Sequence, residues 1–231
     1  MDLNNILSPE WMDNLTIAKD SFLPMVKTAL IGTIPLTIIT FILGLVLAFI
    51  TALFRLSGNK LLNGIARFYI SIIRGTPLLV QLFIIFYGLP TIGVTISPYI
   101  SAVIGFSLSV GAYASEIIRG SIQSIDKGQW EAAYSIGMTY NQTLKRIIIP
   151  QAARVSLPPL SNTFISLVKD TSLASLILVS EMFRTAQEIA VSNYKILLIY
   201  TEAALIYWVI CFFLSIIQER LEARVERYVA K

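Results

Sequence analysis

The feature that most constrains this chain is an apolar run at residues 30–54 that contains no charged residue. A helix needs about 20 predominantly apolar residues to cross the hydrocarbon core of a bilayer. The whole chain agrees with this feature, because 55% of its 231 residues are hydrophobic and only 14% are charged, and its mean hydropathy is +0.72. Such values are typical of membrane proteins. We therefore expect an all-α membrane protein.

Four further stretches predict membrane-spanning helices, which makes five transmembrane helices in total. They cover residues 68–89, 98–118, 156–179 and 196–217. The second span is interrupted at Arg74-Gly75-Thr76-Pro77, and the fourth holds Lys169 and Asp170 near its middle. An odd number of spans places the two termini on opposite sides of the membrane.

The distribution of Lys and Arg predicts the orientation, because cytoplasmic loops are enriched in them. With the N-terminus outside, twelve of the 18 basic residues fall in inner segments and four in outer segments. The chain is therefore predicted to have its N-terminus out and its C-terminus in. Three regions follow: an N-terminal extracellular arm at 1–29, a transmembrane domain at 30–218 with a cytoplasmic loop at 119–154, and a cytoplasmic tail at 219–231.

Several functions are disfavoured by composition. The chain has one cysteine, Cys211, and no histidine, so it lacks a cysteine metal site and the commonest general base. It contains no phosphate-binding loop of the form G-x-x-x-x-G-K-[ST]. The net charge is +4, but the basic residues sit in short clusters between apolar runs, which argues against nucleic acid binding. Because paired carboxylates alone could supply catalytic groups, an intramembrane enzyme remains an alternative.

The cytoplasmic loop is predicted to contain two short helices separated by a turn. Residues 125–136 contain no proline and end at Gly137, the residue favoured just past a helix C-terminus. Thr139 is followed three residues later by Gln142, which is a capping-box pattern for a second helix. We expect that helix to end near Pro150.

The residues of this loop resemble a known motif. Glu131-Ala132-Ala133, then Gly137, then Ile147-Ile148-Ile149-Pro150 closely resembles the EAA motif of ABC importer permeases, with Ile149 where that family usually has leucine. The resemblance implies that the loop docks a separate cytoplasmic ATPase through Glu131, Ala132, Ala133, Gly137, Met138 and Thr139. Small residues at 132, 133 and 137 would let the partner approach closely. The alternative is a purely structural helical hairpin on the membrane surface.

Three further segments, at residues 74–81, 114–120 and 168–173, look like those of polar amino acid permeases, and the match covers about residues 31–220. The resemblance implies a type I importer (MetI-like) permease fold in a bacterial cell membrane. It also implies a cytoplasmic ATPase dimer that binds ATP and Mg, a second permease copy or paralogue, and an extracellular solute-binding protein. It implies no cofactor in this chain.

Charged residues within the spans are the candidate substrate-binding residues, because each costs about 2.5 to 3.5 kcal/mol at the membrane centre and usually marks a pathway or a pair. Neighbours in a helix point about 100° apart, so Lys169 and Asp170 are not expected to face each other. The Asp170 carboxylate could accept an amino acid's ammonium and Arg74 could bind its carboxylate. The full candidate set is Asp170, Lys169, Ser172, Thr171, Gln81 and Arg74.

Each candidate also has a structural alternative. Asp170, Lys169 and Arg74 could hold helices together, and Gln81 could line a cavity or hydrogen-bond across helices. Glu116 is expected to form an interhelical or boundary ion pair. An ion-coupled secondary transporter or channel is the main rival function, but it predicts internal repeats, which the sequence lacks. Ile34-Pro35-Leu36-Thr37 looks most like permeases for cystine in Gram-positive bacteria.

Overall fold

The computed structural model describes residues 9–226, and every regular element in that range is helical. The helices are α1 Pro9–Thr28, α2 Ile34–Leu56, α3 Lys60–Gly75, α4 Leu78–Phe83, α5 Pro98–Gln123, α6 Lys127–Ser135, α7 Tyr140–Thr143, α8 Ile149–Asp170, α9 Met182–Asn193 and α10 Ile196–Glu226. The expected all-α architecture is thus confirmed. The first eight residues of the predicted arm and the last five of the predicted tail lie outside the described range.

The described residues contain three to five candidate membrane spans, a range that includes the five predicted from the sequence. Three helical stretches are long and apolar enough to cross a bilayer, namely Trp11–Leu56, Pro98–Gln123 and Ile196–Arg224. Two bent pairs of helices bring the number to five if each pair is one span. The first of these stretches runs through residue 29, so the predicted boundary between arm and membrane domain falls inside one helix.

The predicted second and fourth spans are broken helices. The second bends by 103° between α3 and α4, where Thr76 and Pro77 adopt extended backbone. The fourth was expected to hold Lys169 and Asp170 near its middle, but α8 begins at Ile149 and ends at Asp170. A 3-10 turn, Thr171–Ile177, follows, because hydroxyl groups in it donate to carbonyls three residues back and favour tighter winding.

The described residues contain three π turns, Ala29–Thr33, Ile84–Gly88 and Leu144–Ile148. Each is followed by one residue and then a proline, at Pro35, Pro90 and Pro150. In each case the residue before proline donates to the carbonyl five residues back. Proline has no N–H and clashes with the carbonyl four residues back, and the wider turn relieves both problems. The prediction that Pro150 ends the second loop helix is therefore wrong. The helix continues from Tyr140 through the π turn to the end of α8.

Two hydrophobic clusters organise the bundle. The larger one joins α2, α4, α5 and the end of α8 and includes Leu36, Leu82, Phe106 and Leu167. The second joins α1, α9 and α10 and includes Met25, Met182, Ala186 and Ile199. The α1 segment of the predicted extracellular arm is thus packed against two other helices.

The α2–α5 pair depends on a glycine, and this gives a stability prediction. A Cβ at Gly44 would lie 2.5 Å from the Val110 side chain, so Gly44→Ala should lower the stability by about 1–3 kcal/mol through overpacking. Gly64 on α3 has nothing within 4 Å of its Cβ position, so Gly64→Ala should raise it by about 0.5–1 kcal/mol. Thermal unfolding in detergent measures both, and equal shifts for the two variants would contradict the packing argument.

Candidate functional site

A polar cavity of about 430 Å³ lies between α4, α5 and α8. Its lining includes Leu78, Tyr113, Asn162, Ser166 and Asp170. The side chain of Asp170 is exposed in it, and within residues 9–226 its carboxylate has no hydrogen bond or ion pair. The carboxylate is therefore available to a ligand in the cavity.

Arg74 lies beside Tyr113, one of the residues that line the same cavity. Its guanidinium carbon is 5.2 Å from the centre of the Tyr113 ring, which is within the range of a cation–π contact. Arg74 is the penultimate residue of α3, so the break that follows it turns the chain at the cavity. The cavity thus combines a free carboxylate, a guanidinium at its edge, and neutral amide and hydroxyl groups. This combination matches the two opposite charges of a zwitterion.

Lys169 lines a different cavity from its neighbour Asp170. This second cavity, of about 530 Å³, lies between α8, α9 and α10 and is lined by Lys169, Ser172, Tyr207 and Trp208 among others. The different directions of the two side chains follow from the angle of about 100° between successive residues of a helix. The structure therefore does not bring all the predicted substrate residues to one place.

The remaining predicted substrate residues bond to the backbone. Thr171 is buried and its hydroxyl donates to the Val168 carbonyl (2.7 Å), while the Ser172 hydroxyl donates to the Lys169 carbonyl (2.7 Å). The Gln81 amide donates across the break to the Ile73 carbonyl (2.8 Å) and to the Thr76 hydroxyl. Of the two alternatives for Gln81, the structure shows the hydrogen bond across helices.

A buried carboxylate that the sequence analysis missed joins the two halves of the bundle. Glu181 is 0% exposed and caps α9 by accepting a hydrogen bond from the Arg184 backbone N–H (2.7 Å). Its Oε2 also accepts from the hydroxyls of Tyr207 (3.0 Å) and Thr33 (3.4 Å). The predicted fourth span ends at residue 179, so Glu181 lies outside the spans predicted from the sequence. The sequence does not predict α9, which begins directly after Glu181 and places its side chain in the bundle.

Removal of the Glu181 carboxylate should destabilise the fold. Glu181→Ala leaves the buried Thr33 hydroxyl and the half-buried Tyr207 hydroxyl without the carboxylate that accepts from them, and each unsatisfied group costs about 1–3 kcal/mol. We expect a loss of at least about 2 kcal/mol, measured by unfolding in detergent. Glu188→Gln changes an exposed carboxylate of the same helix, paired with Arg184, and is the matched control. Equal stability of the two variants would show that the buried contacts are not needed.

The loop between α5 and α8 has the predicted geometry. Gly137 adopts φ 79° and its N–H donates to the Tyr134 carbonyl, while the Met138 N–H donates to the Ala133 carbonyl. This is the Schellman pattern of a helix C-terminus. Both hydrogen bonds of the capping box at Thr139 are present. The helix–turn–helix expected from the sequence is confirmed.

The outer surface of this loop differs from the expected one at a single residue. Glu131, Ala132, Gly137 and Thr139 are exposed and Met138 is half-buried, but Ala133 is only 1% exposed. The expectation that Ala133 contributes to a small outer surface is therefore wrong, because it packs inward where a larger side chain would not fit. Ile136 was not predicted, yet its side chain is 77% exposed.

Aromatic and charged contacts hold the loop firmly to the bundle. Trp130 stacks on Tyr140 with ring centres 5.4 Å apart and packs with the cluster around Ile122 and Ile148. Nearby, Glu116 pairs with Arg119 (2.7 Å) and with Arg55 of α2 (3.4 Å). The predicted interhelical ion pair of Glu116 is thus confirmed. A force on the loop would be transmitted to the spans.

The chain is a helical membrane protein with a polar cavity in its bundle and a helix–turn–helix that exposes an apolar side chain at one end. These are the features of a transport permease that is driven by a partner protein. The comparisons with known proteins agree. Residues 41–227 match the family described as binding-protein-dependent transport system inner membrane component. The chain belongs to this family of ABC importer permeases.

Individual relatives are amino acid permeases. The chain is 62% identical to the L-cystine transport system permease protein TcyB of Bacillus subtilis, over 93% of this chain and 92% of that one. It is 39% identical to the glutamine transport system permease protein GlnP of Escherichia coli, over 79% and 84% of the two chains. A solved amino acid ABC transporter with histidines aligns at TM-score 0.81 and 37% identity, covering 88% of this chain and 98% of that chain.

The family settles the class of activity. The chain is an amino acid ABC transporter permease and a transport component rather than an enzyme. In this family an ATPase partner handles the nucleotide, and the family description itself includes a binding protein. The alternative of an ion-coupled transporter or channel is set aside by the same result. A more distant structure, the MetNI methionine ABC transporter, at TM-score 0.71 and 16% identity, shares the fold.

Proposed function

We propose that this permease carries L-cystine, or an amino acid close to it in structure, across a bacterial cell membrane. The observation that supports this substrate is the 62% identity to an L-cystine permease over nearly the full length of both chains. The charges at the cavity agree with it, because one carboxylate and one guanidinium suit an amino acid without net charge better than a cationic one. We also propose that the N-terminus is outside and the C-terminus inside, on the strength of the basic residues.

Within the cavity, the Asp170 carboxylate accepts hydrogen bonds from the ammonium of the amino acid, and Arg74 donates hydrogen bonds to its carboxylate. Charge-assisted hydrogen bonds of this kind are about twice as strong as neutral ones. Tyr113 holds the guanidinium at the rim through its ring, and Asn162 and Ser166 supply neutral donors and acceptors. The hydrogen bonds of Thr171, Ser172 and Gln81 stabilise the helix ends that form the site. Lys169 lines the second cavity.

The permease works with two cytoplasmic ATPase subunits, a second permease copy or paralogue, and an extracellular solute-binding protein. The ATPase, which binds ATP and Mg, docks on the exposed turn formed by Glu131, Ala132, Ile136, Gly137, Met138 and Thr139. Ala133 is buried on the inner side of this turn and is not part of the docking surface. Two contacts support coupling. Trp130 packs with Ile122 of α5 and Leu56 of α2, and the Glu116–Arg55 ion pair joins α5 to α2.

The substrate is tested in vesicles that contain the permease, its ATPase and its binding protein. Uptake of labelled cystine is measured in the presence of an excess of each of a panel of unlabelled amino acids. We expect unlabelled cystine to abolish the labelled uptake, and glutamine and arginine to leave it nearly unchanged. Displacement by glutamine or arginine as effective as by cystine would contradict the assignment.

A further inference from the structure

Helix α3 presents three distinct faces. One face is buried against the bundle through Ala66 and Ile70. A second consists of four apolar side chains, Leu61, Ile65, Phe68 and Ile72, which are 70%, 54%, 69% and 45% exposed. Their spacing of four, three and four residues places them on a single stripe. In a membrane protein, such an uncovered stripe needs an apolar neighbour.

The third face of α3 is basic and polar. Lys60, Gly64, Arg67 and Ser71 are all exposed. Lys60 and Arg67 are seven residues apart, so at about 100° per residue they lie within about 20° of each other around the helix. This row is roughly 110° away from the apolar stripe. The side chains of α3 thus divide among bundle, apolar and basic surroundings.

The position of α3 is fixed by contacts at both ends of its buried face. Asn63 accepts a hydrogen bond from Arg55 at the end of α2 (2.8 Å), and the Tyr69 hydroxyl donates to the Leu108 carbonyl of α5 (2.6 Å). The bend of 103° to the next helix means that α3 runs nearly perpendicular to it. With α4 as the membrane-crossing part of the predicted second span, the 103° bend places α3 closer to the membrane plane than to its normal.

We propose that the outer surface of α3 binds anionic phospholipids of the cytoplasmic leaflet. The acyl chains cover the apolar stripe, and the phosphates lie against Lys60 and Arg67. A helix with one apolar face and one basic face is the form in which interfacial helices bind anionic membranes, and the cytoplasmic leaflet carries the negative surface potential. The proposal rests on the orientation proposed above, which places the start of α3 at the inner surface.

Charge favours lipid over a second copy of the chain. In a two-fold symmetric contact the same surface is present on both subunits, so two α3 helices would bring Lys60 and Arg67 of one copy close to those of the other. Like charges placed together destabilise such a contact. Arg74 is left out of the lipid surface because it lies over Tyr113 at the substrate cavity.

The test uses the purified full chain in a neutral detergent, with added phosphatidylglycerol or phosphatidylcholine, and bound lipids are counted by native mass spectrometry. We expect the double variant Lys60→Gln/Arg67→Gln to bind phosphatidylglycerol at least fivefold more weakly and phosphatidylcholine unchanged. The matched control is Lys19→Gln/Lys27→Gln, which removes two exposed lysines of α1 and should bind both lipids as the parent chain does. Unchanged phosphatidylglycerol binding in the α3 variant would overturn the proposal.

A second measurement keeps the α3 basic row intact. A fluorophore is attached at Ile65→Cys in a Cys211→Ser chain reconstituted in vesicles, and its quenching by brominated lipids is recorded. We expect stronger quenching by brominated phosphatidylglycerol than by brominated phosphatidylcholine at the same mole fraction. Equal quenching by the two lipids would contradict a specific anionic surface. Efficient thiol cross-linking between two unlabelled copies of the Ile65→Cys variant would show that a second copy covers the stripe instead.

Discussion

Replacement of Asp170 by asparagine is expected to lower amino acid uptake by at least about tenfold without loss of the folded permease. The substitution keeps the size of the side chain but removes the charge that is proposed to bind the substrate ammonium. A hydrogen bond to a charged group contributes about 1.5–3 kcal/mol, and each 1.36 kcal/mol is tenfold in an equilibrium constant. Because the carboxylate makes no hydrogen bond or ion pair within residues 9–226, its neutralisation should break no contact of either kind. Uptake into vesicles and the amount of assembled complex are measured together.

One control variant and one further variant of the proposed site accompany this test. Glu188→Gln neutralises an exposed carboxylate outside the cavity and should leave uptake unchanged. Arg74→Gln should lower uptake as well, since it removes the cation proposed for the substrate carboxylate. If Asp170→Asn prevented assembly instead of transport, Asp170 would be a residue that holds helices together, and the proposed substrate contact would be wrong.

Replacement of Gly137 by valine is expected to abolish co-purification of the ATPase while the chain still inserts into the membrane. At φ 79° a β-branched residue is strongly disfavoured, so the Schellman turn should open and displace Ile136 and Met138. The Cβ position itself has nothing within 4 Å, so the chain has room for the side chain and its core should survive. The measurement is the amount of ATPase that co-purifies with tagged permease.

A second substitution at the same position separates the shape of the turn from its size. Asparagine tolerates the left-handed conformation, so Gly137→Asn should keep the turn but add bulk at the docking surface. Loss of the ATPase in both variants indicates that the surface must be small, whereas loss in the valine variant alone indicates that only the turn matters. Gly58→Val is the matched control, because Gly58 also has open space around it and lies before α3. Normal ATPase binding by Gly137→Val would contradict the docking assignment.

The sequence predicts best those features that depend on local chemistry. The uncharged run at residues 30–54 predicts a helix long and apolar enough to span a membrane, Gly137 predicts a left-handed turn, and Thr139 with Gln142 predicts a helix start; all three are present. The angle between Lys169 and Asp170 also follows from helix geometry alone. Each of these inferences uses residues that are close in the chain.

The features that the sequence did not predict depend on residues that are distant in the chain. Glu181 is recognisable as a buried carboxylate only when Thr33 and Tyr207 are brought beside it. Ala133 looks like a surface residue until the packing of α6 is known. Pro150 was expected to end a helix because its local rule is strong, but a π turn just before it removes the clash. The location of the cavity beside Asp170 likewise required the positions of α4 and α5.

The uninterrupted helix that passes through Pro150 gives the permease a mechanical property. From Tyr140 to Asp170 it is one continuous helical rod, with Pro158 and Pro159 inside α8, and it is roughly 45 Å long at 1.5 Å per residue. Its first turn adjoins the proposed docking surface and its last residue lines the proposed substrate cavity. If the first turn serves as pivot, a tilt of about 5° moves the far end of a rod of this length by about 4 Å, which is more than the length of a hydrogen bond. The rod would then be a lever arm, and small changes in the seating of the ATPase would be enlarged into the making or breaking of contacts at Asp170.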